Sequence, residues 1–107
     1  MYVPPHFVAP GKETLIRLLP EASFALLVSA GEDGVPVATH LPFSYDKDRG
    51  EHGTLIAHMA RANPHGQLLD KGEAMAVFQG PHAYISPSYY ATDVNVPTWN
   101  YVAVHAY

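Results

Sequence analysis

Residues 35–45 alternate with a period of two. Val35, Val37, Thr39, Leu41 and Phe43 fall on one face of an extended chain, and Pro36, Ala38, His40 and Pro42 fall on the other. That period over that length describes a β-strand with one face on a core. Proline donates no backbone hydrogen bond, so the strand needs a free edge or a bend at positions 36 and 42. Residues 98–107 repeat the pattern, with Trp99, Tyr101, Ala103 and His105 set against Asn100, Val102, Val104 and Ala106. Residues 24–30 are apolar throughout, which suits a strand buried on both faces. Residues 54–60, 73–79 and 82–86 are further strand-length runs, the last two broken apart by Gly80-Pro81. Six short strands with few helices predict a mainly β fold, a barrel or a sandwich.

The punctuation agrees. Residues 1–11 are proline-rich and irregular. Residues 12–19 carry apolar side chains at 15, 16, 18 and 19, a short amphipathic helix ended by Pro20. Gly31-Glu32-Asp33-Gly34 is turn chemistry. Residues 46–53 and 91–97 read as loops. Asn63 is a natural helix N-cap and Pro64 a natural first helical residue, giving a helix that runs to about Lys71 and stops at Gly72. No repeat is visible, and residues 1–107 read as a single domain.

Composition narrows the function. Hydrophobic residues make up 48%, which argues against disorder. Charged residues make up only 15%, so oligomerisation is expected to cover surface. A net charge of −4 with no basic stripe argues against direct binding to duplex DNA. There is no cysteine, which excludes disulfides and thiolate metal sites. The seven histidines show no metal-ligand spacing, so no metal site is expected. No Walker loop, Rossmann glycine pattern or nucleophile elbow is present. The N-terminus lacks signal-peptide regions, and no apolar run approaches the roughly 20 residues that span a bilayer, so no membrane association is expected and the cytoplasm is the default location.

Three segments stand out. In residues 58–65 a strand ends, Arg61 follows and a capped helix starts. Free N–H groups and a guanidinium there suit an anion, and a phosphate above all. The plainer account is an ordinary helix start beside a solvated arginine. Residues 79–90 are dense in aromatics and hydroxyls. They suit a pocket for a flat ligand or, equally, an aromatic barrel edge with Gly80-Pro81 as a bulge. Trp99 beside Asn100 suits ring stacking or an interface, or an ordinary core tryptophan.

Met1-Tyr2-Val3-Pro4 with His6-Phe7, Thr39-His40-Leu41-Pro42, residues 58–63, residues 77–87, and Val96-Pro97-Thr98-Trp99-Asn100-Tyr101 followed by Val104-His105 together carry a family resemblance. Over essentially the whole chain they resemble the PaiB family of FMN-binding negative transcriptional regulators. The resemblance implies an FMN-binding split β-barrel with short helices, related to pyridoxamine-phosphate oxidase. It implies a homodimer in the full-length form, with FMN at the subunit interface. It puts the FMN phosphate at Arg61, Asn63 and the helix start. It puts the flavin ring against Thr39, His40, Leu41 and His58, with Trp99 and Asn100 nearby from either subunit. It assigns no catalytic residue. Members of the family are longer, so the chain is expected to be an N-terminal fragment whose barrel is incomplete at the C-terminus. The regulatory role is implied by the resemblance alone. A flavin-dependent oxidoreductase acting on a small substrate and a cofactor-free interaction domain are the alternatives.

Overall fold

The alternating segment becomes β2, Pro36–Asp46, in which Leu41 and Phe43 are buried while Pro42 and Ser44 are exposed. The computed structural model describes residues 1–8, 11–19, 23–92 and 94–107. The expected stop at Pro20, and parts of the expected N-terminal segment and of the 91–97 loop, lie outside the described residues. Around β2 stand β1, Ser23–Ala30, and β3, Thr54–Ala57, each antiparallel to it. β3 stops opposite Phe43, so the stretch of β2 from Pro36 to Pro42 has a free edge on that side among the described residues. That is the condition its two prolines require.

Two further strands complete the sheet. β4, Ala74–Ile85, pairs with β1, and β5, Thr98–Ala106, pairs with β4, giving the order β3-β2-β1-β4-β5. Two short helices accompany it: α1, Gly11–Leu18, before β1, and α2, His65–Leu69, between β3 and β4. The link from edge strand β3 to β4 passes over β2 and β1, and α2 rests against those two strands on the way.

The core lies on this inner face. Ala25 and Leu27 of β1, Leu41 and Phe43 of β2, and Ala76 and Phe78 of β4 are buried with Leu19. Leu55, Leu69, Val104 and Ala106 pack at its margin. Phe43 and Phe78 meet edge to face with centroids 5.6 Å apart, a geometry that adds about 0.5–1.5 kcal/mol beyond area burial.

Three expectations need correction. The runs 73–79 and 82–86 are one strand, so the sheet has five strands. Pairing with β5 continues past Gly80-Pro81 through a register shift between Gln79 and His82. A bulge absorbs the proline without ending the strand. The fit is close there: a Cβ on Gly80 would lie 3.0 Å from the Val102 Cβ, so Val102 would have to give by a few tenths of an ångström. Secondly, β1 is buried on one face only. Its outer face carries Phe24, 70% exposed, because α2 and the core lie on the inner side. The mainly β class is as expected, and the sheet is open, with β3 and β5 as its opposite edges. Finally, β3 and α2 are shorter than their sequence patterns. Among the described residues, no helix is long and apolar enough to cross a membrane.

Candidate functional site

The segment leaving β3 carries most of the polar chemistry. His58 is exposed, and Met59 turns inward against the core. The Asn63 N–H donates to the Ala60 carbonyl at 2.9 Å, closing a tight turn with Arg61 and Ala62 at its middle. Arg61 is exposed and has no ion pair or side-chain hydrogen bond among the described residues.

Asn63 is half-buried, and its Oδ1 accepts the His65 N–H at 3.0 Å. It does the work of a cap, although the regular helix begins two residues later with Pro64 in the N-cap position. The Gly66 N–H donates to the Asn63 carbonyl at 3.2 Å, and the Gln67 N–H to the Pro64 carbonyl at 3.1 Å. The donors of residues 65–67 are therefore taken by the chain itself. The expected cradle of free N–H groups is absent, and α2, five residues long, has little dipole to offer. The exposed Arg61 side chain carries the fixed positive charge of this segment.

Below the turn lies a residue that the sequence reading passed over. His65 is 1% exposed. Its Nδ1 is 2.7 Å from the Thr39 Oγ1 and its Nε2 is 2.8 Å from the Ser29 Oγ. A neutral imidazole has one N–H and one lone pair, so one hydroxyl accepts and the other donates. Asn63 Nδ2 also donates to the Thr39 Oγ1, at 3.5 Å. The available signal was a pair of hydroxyl residues, Ser29 and Thr39, standing at inward positions among apolar neighbours. Such residues need a polar partner when buried.

The remaining predicted residues divide by face and by edge. Thr39 and Leu41 point inward, Leu41 into the core. His40 points outward and stacks on Phe24 at 5.8 Å. Strand alternation therefore prevents these three side chains from lining one surface. His58 lines a shallow hollow of about 250 Å³ with Pro42, Phe43, Ser44, Ile56 and Ala57. Trp99, 57% exposed, lies on β5 with Tyr84 and His82 around it at 6.0 and 5.9 Å, and Asn100 beside it is exposed. His58 and Arg61 follow β3, so they stand at the opposite edge of the sheet from Trp99 and Asn100. The structure joins Thr39 to Asn63 and does not bring the two edge groups together within one chain. Among the described residues, no group of three or more His, Cys, Asp or Glu could hold a metal ion.

Comparison with known proteins adds to this geometry. A family model described as "Putative FMN-binding domain" matches residues 1–107. The "Protease synthase and sporulation protein PAI 2" of Bacillus subtilis is 43% identical over 108 residues, covering 100% of this chain and 51% of that protein. An uncharacterized protein of Saccharomyces cerevisiae is 43% identical over 76 residues, covering 65% of this chain and 44% of its own length. An uncharacterized protein of Emericella nidulans is 33% identical over 97 residues, covering 65% and 39%. The chain spans about half, or less, of the length of these relatives.

Proposed function

This chain belongs to the family described as "Putative FMN-binding domain", and on that premise we propose that it forms one wall of an FMN site of the PaiB kind. FMN is the cofactor that the family indicates. The observation that carries the reading is Arg61, an unpaired guanidinium on a hydrogen-bonded turn next in sequence to the His58 hollow.

The residues present fit this cofactor. Arginine grips a phosphate through parallel hydrogen bonds. The hollow offers Pro42, Phe43, Ile56 and Ala57 as apolar wall, with Ser44 and His58 as polar points. That is the mixture a flat ring requires. When bound, FMN supplies redox chemistry, and the protein supplies placement and electrostatics. Arg61 holds the phosphate, Asn63 keeps the Arg61 turn closed, and the hollow shields one side of the ring from water.

The second wall comes from another copy of the chain. The hollow of about 250 Å³ falls below the roughly 300 Å³ at which ligand pockets begin. The outer sheet face leaves Phe24, Tyr84, Trp99 and Tyr101 exposed, and the Nδ1 of His105 on that face is buried without a partner among the described residues. These features support a homodimer, in which Trp99 and Asn100 of one subunit approach the His58 hollow of the other. The role in the cell is that of a cytoplasmic regulator. Any effect on transcription runs through a protein partner or a small molecule, since a net charge of −4 opposes a polyanion.

Flavin titration tests the reading. The protein is expected to bind FMN and to bind riboflavin much more weakly. Equal affinities would remove the phosphate role of Arg61, and a protein indifferent to both flavins would be a cofactor-free interaction domain. Turnover of a reductant by the FMN-loaded protein would assign it to the oxidoreductases instead.

A further inference from the structure

We propose that His65 is a positioning residue for FMN: it sets the turn that presents Arg61 and thereby sets the preference for FMN over riboflavin. This rests on the reading that Arg61 holds the FMN phosphate.

The segment between β3 and α2 has few anchors. His58, Ala60, Arg61, Ala62 and Pro64 are exposed, and Met59 and Asn63 are half-buried. Only His65 is fully enclosed. Its ring is tied to two strands at once, to Ser29 of β1 and Thr39 of β2. In the β1–β2 register Leu27 is opposite Thr39 and Ser29 opposite Val37, so Ser29 and Thr39 are diagonal neighbours on one face. Such neighbours are about 7–8 Å apart. An imidazole with bonds of 2.7 and 2.8 Å at its two nitrogens spans that diagonal. A leucine of similar volume would fill the space, leave the Ser29 hydroxyl unpaired and leave Thr39 only the longer bond from Asn63.

The constraint then passes outward through Asn63. Its Oδ1 takes the backbone N–H of His65, its Nδ2 reaches the same Thr39 hydroxyl, and its own N–H closes the turn on Ala60. Both the ring and the main chain of His65 thus bear on the residue that closes the Arg61 turn. An arginine on a fixed turn loses less freedom when it closes on a phosphate than one on a mobile loop. Because the network serves the phosphate partner, its loss should weaken FMN and leave riboflavin unaffected. A residue that merely held the fold together would affect both.

The test measures FMN and riboflavin affinity in parallel for Ser29→Ala, His65→Gln and Arg61→Ala, with folding checked by circular dichroism. His65→Gln is expected to lose FMN affinity by about fivefold to tenfold, the scale of one hydrogen bond, with riboflavin within about twofold. Adding Ser29→Ala to Arg61→Ala should cost little more, because the two act as a unit. Ser29→Ala keeps the test open if His65→Gln fails to fold, and a smaller loss confined to FMN is expected of it. Parallel losses of both flavins would overturn the proposal, as would unchanged FMN binding in folded Ser29→Ala. Should Arg61→Ala leave FMN affinity untouched, the phosphate assignment itself falls; a loss in Arg61→Ala alone would sink only the role of His65.

Discussion

The Nε2 of His65 lies 2.8 Å from the Oγ of Ser29, 36 positions earlier in the chain. This bond ties the helix after β3 to the middle strand of the sheet. His65→Leu removes the ring, leaving the buried Ser29 hydroxyl without its partner and the half-buried Thr39 hydroxyl with only the 3.5 Å bond from Asn63. A stranded buried hydroxyl costs about 1–3 kcal/mol, so the variant is expected to lose about 1–3 kcal/mol in urea unfolding. Ser29→Ala strands one ring nitrogen and should cost less. A His65→Leu protein as stable as the parent would show that these hydrogen bonds contribute nothing net.

Arg61 is exposed and unpaired, so its removal should cost the fold little. Arg61→Ala is expected to leave the unfolding midpoint within about 0.5 kcal/mol, as surface changes usually do. FMN binding should weaken by about 1.5–3 kcal/mol, the range for a hydrogen bond to a charged group. Titration calorimetry with each flavin separates the two effects.

Trp99 presents most of its ring to solvent next to Tyr84 and His82. Trp99→Ala should weaken self-association and FMN binding together, because one exposed aromatic anchor serves both. The unfolding midpoint of the monomer should hardly change. Sedimentation velocity combined with flavin titration decides the matter. A wild type that is monomeric and still binds FMN fully would separate the two roles.

The ion pair of Lys71 Nζ with Glu32 Oε1, at 2.6 Å, links the turn after α2 to the β1–β2 turn. The hydrogen bond and the charge of Lys71 hold the Glu32 carboxyl below its ordinary value near 4.5. The same two effects from Glu32 hold Lys71 above its ordinary value near 10.5. A depressed carboxyl contributes stability that is present above the ordinary value and lost as pH falls through the lowered one. The raised lysine contributes below its ordinary value and loses that contribution as pH rises through the raised one. The wild type should therefore exceed Glu32→Gln slightly at pH 7 and lose the advantage well below pH 4.5. Both groups are exposed, so about 1 M salt should erase the difference. Denaturant melts at the two pH values check this.

With a net charge of −4 the chain alone should not form a sequence-specific complex with duplex DNA. A gel shift at about 150 mM salt, near physiological ionic strength, measures this. A tight specific complex would overturn the charge argument.

The amino-acid sequence by itself determined which side chains of β2 and of β5 share a face, since a period of two dictates which side chains point together whatever the neighbours are. It also determined the turn at 31–34 and a capping Asn63, because both depend on local chemistry. It was enough to mark the family, through side chains quoted in order along the whole chain. Strand count and enclosure were decided elsewhere. Gly80-Pro81 reads locally as a break, yet pairing with β5 carries β4 through it as a bulge, and only the partner strand supplies those bonds. The apolar run of β1 reads as buried on both faces, but burial depends on what lies over each face, which no strand encodes in its own residues. The helix start differs for the same reason: Asn63 and Pro64 announce it, while the fate of its N–H groups depends on three-dimensional closure. His65 depended most on tertiary structure. Its partners Ser29 and Thr39 come from two strands, and the hydrogen bonds exist only once β1 and β2 pair in register and α2 is laid across them.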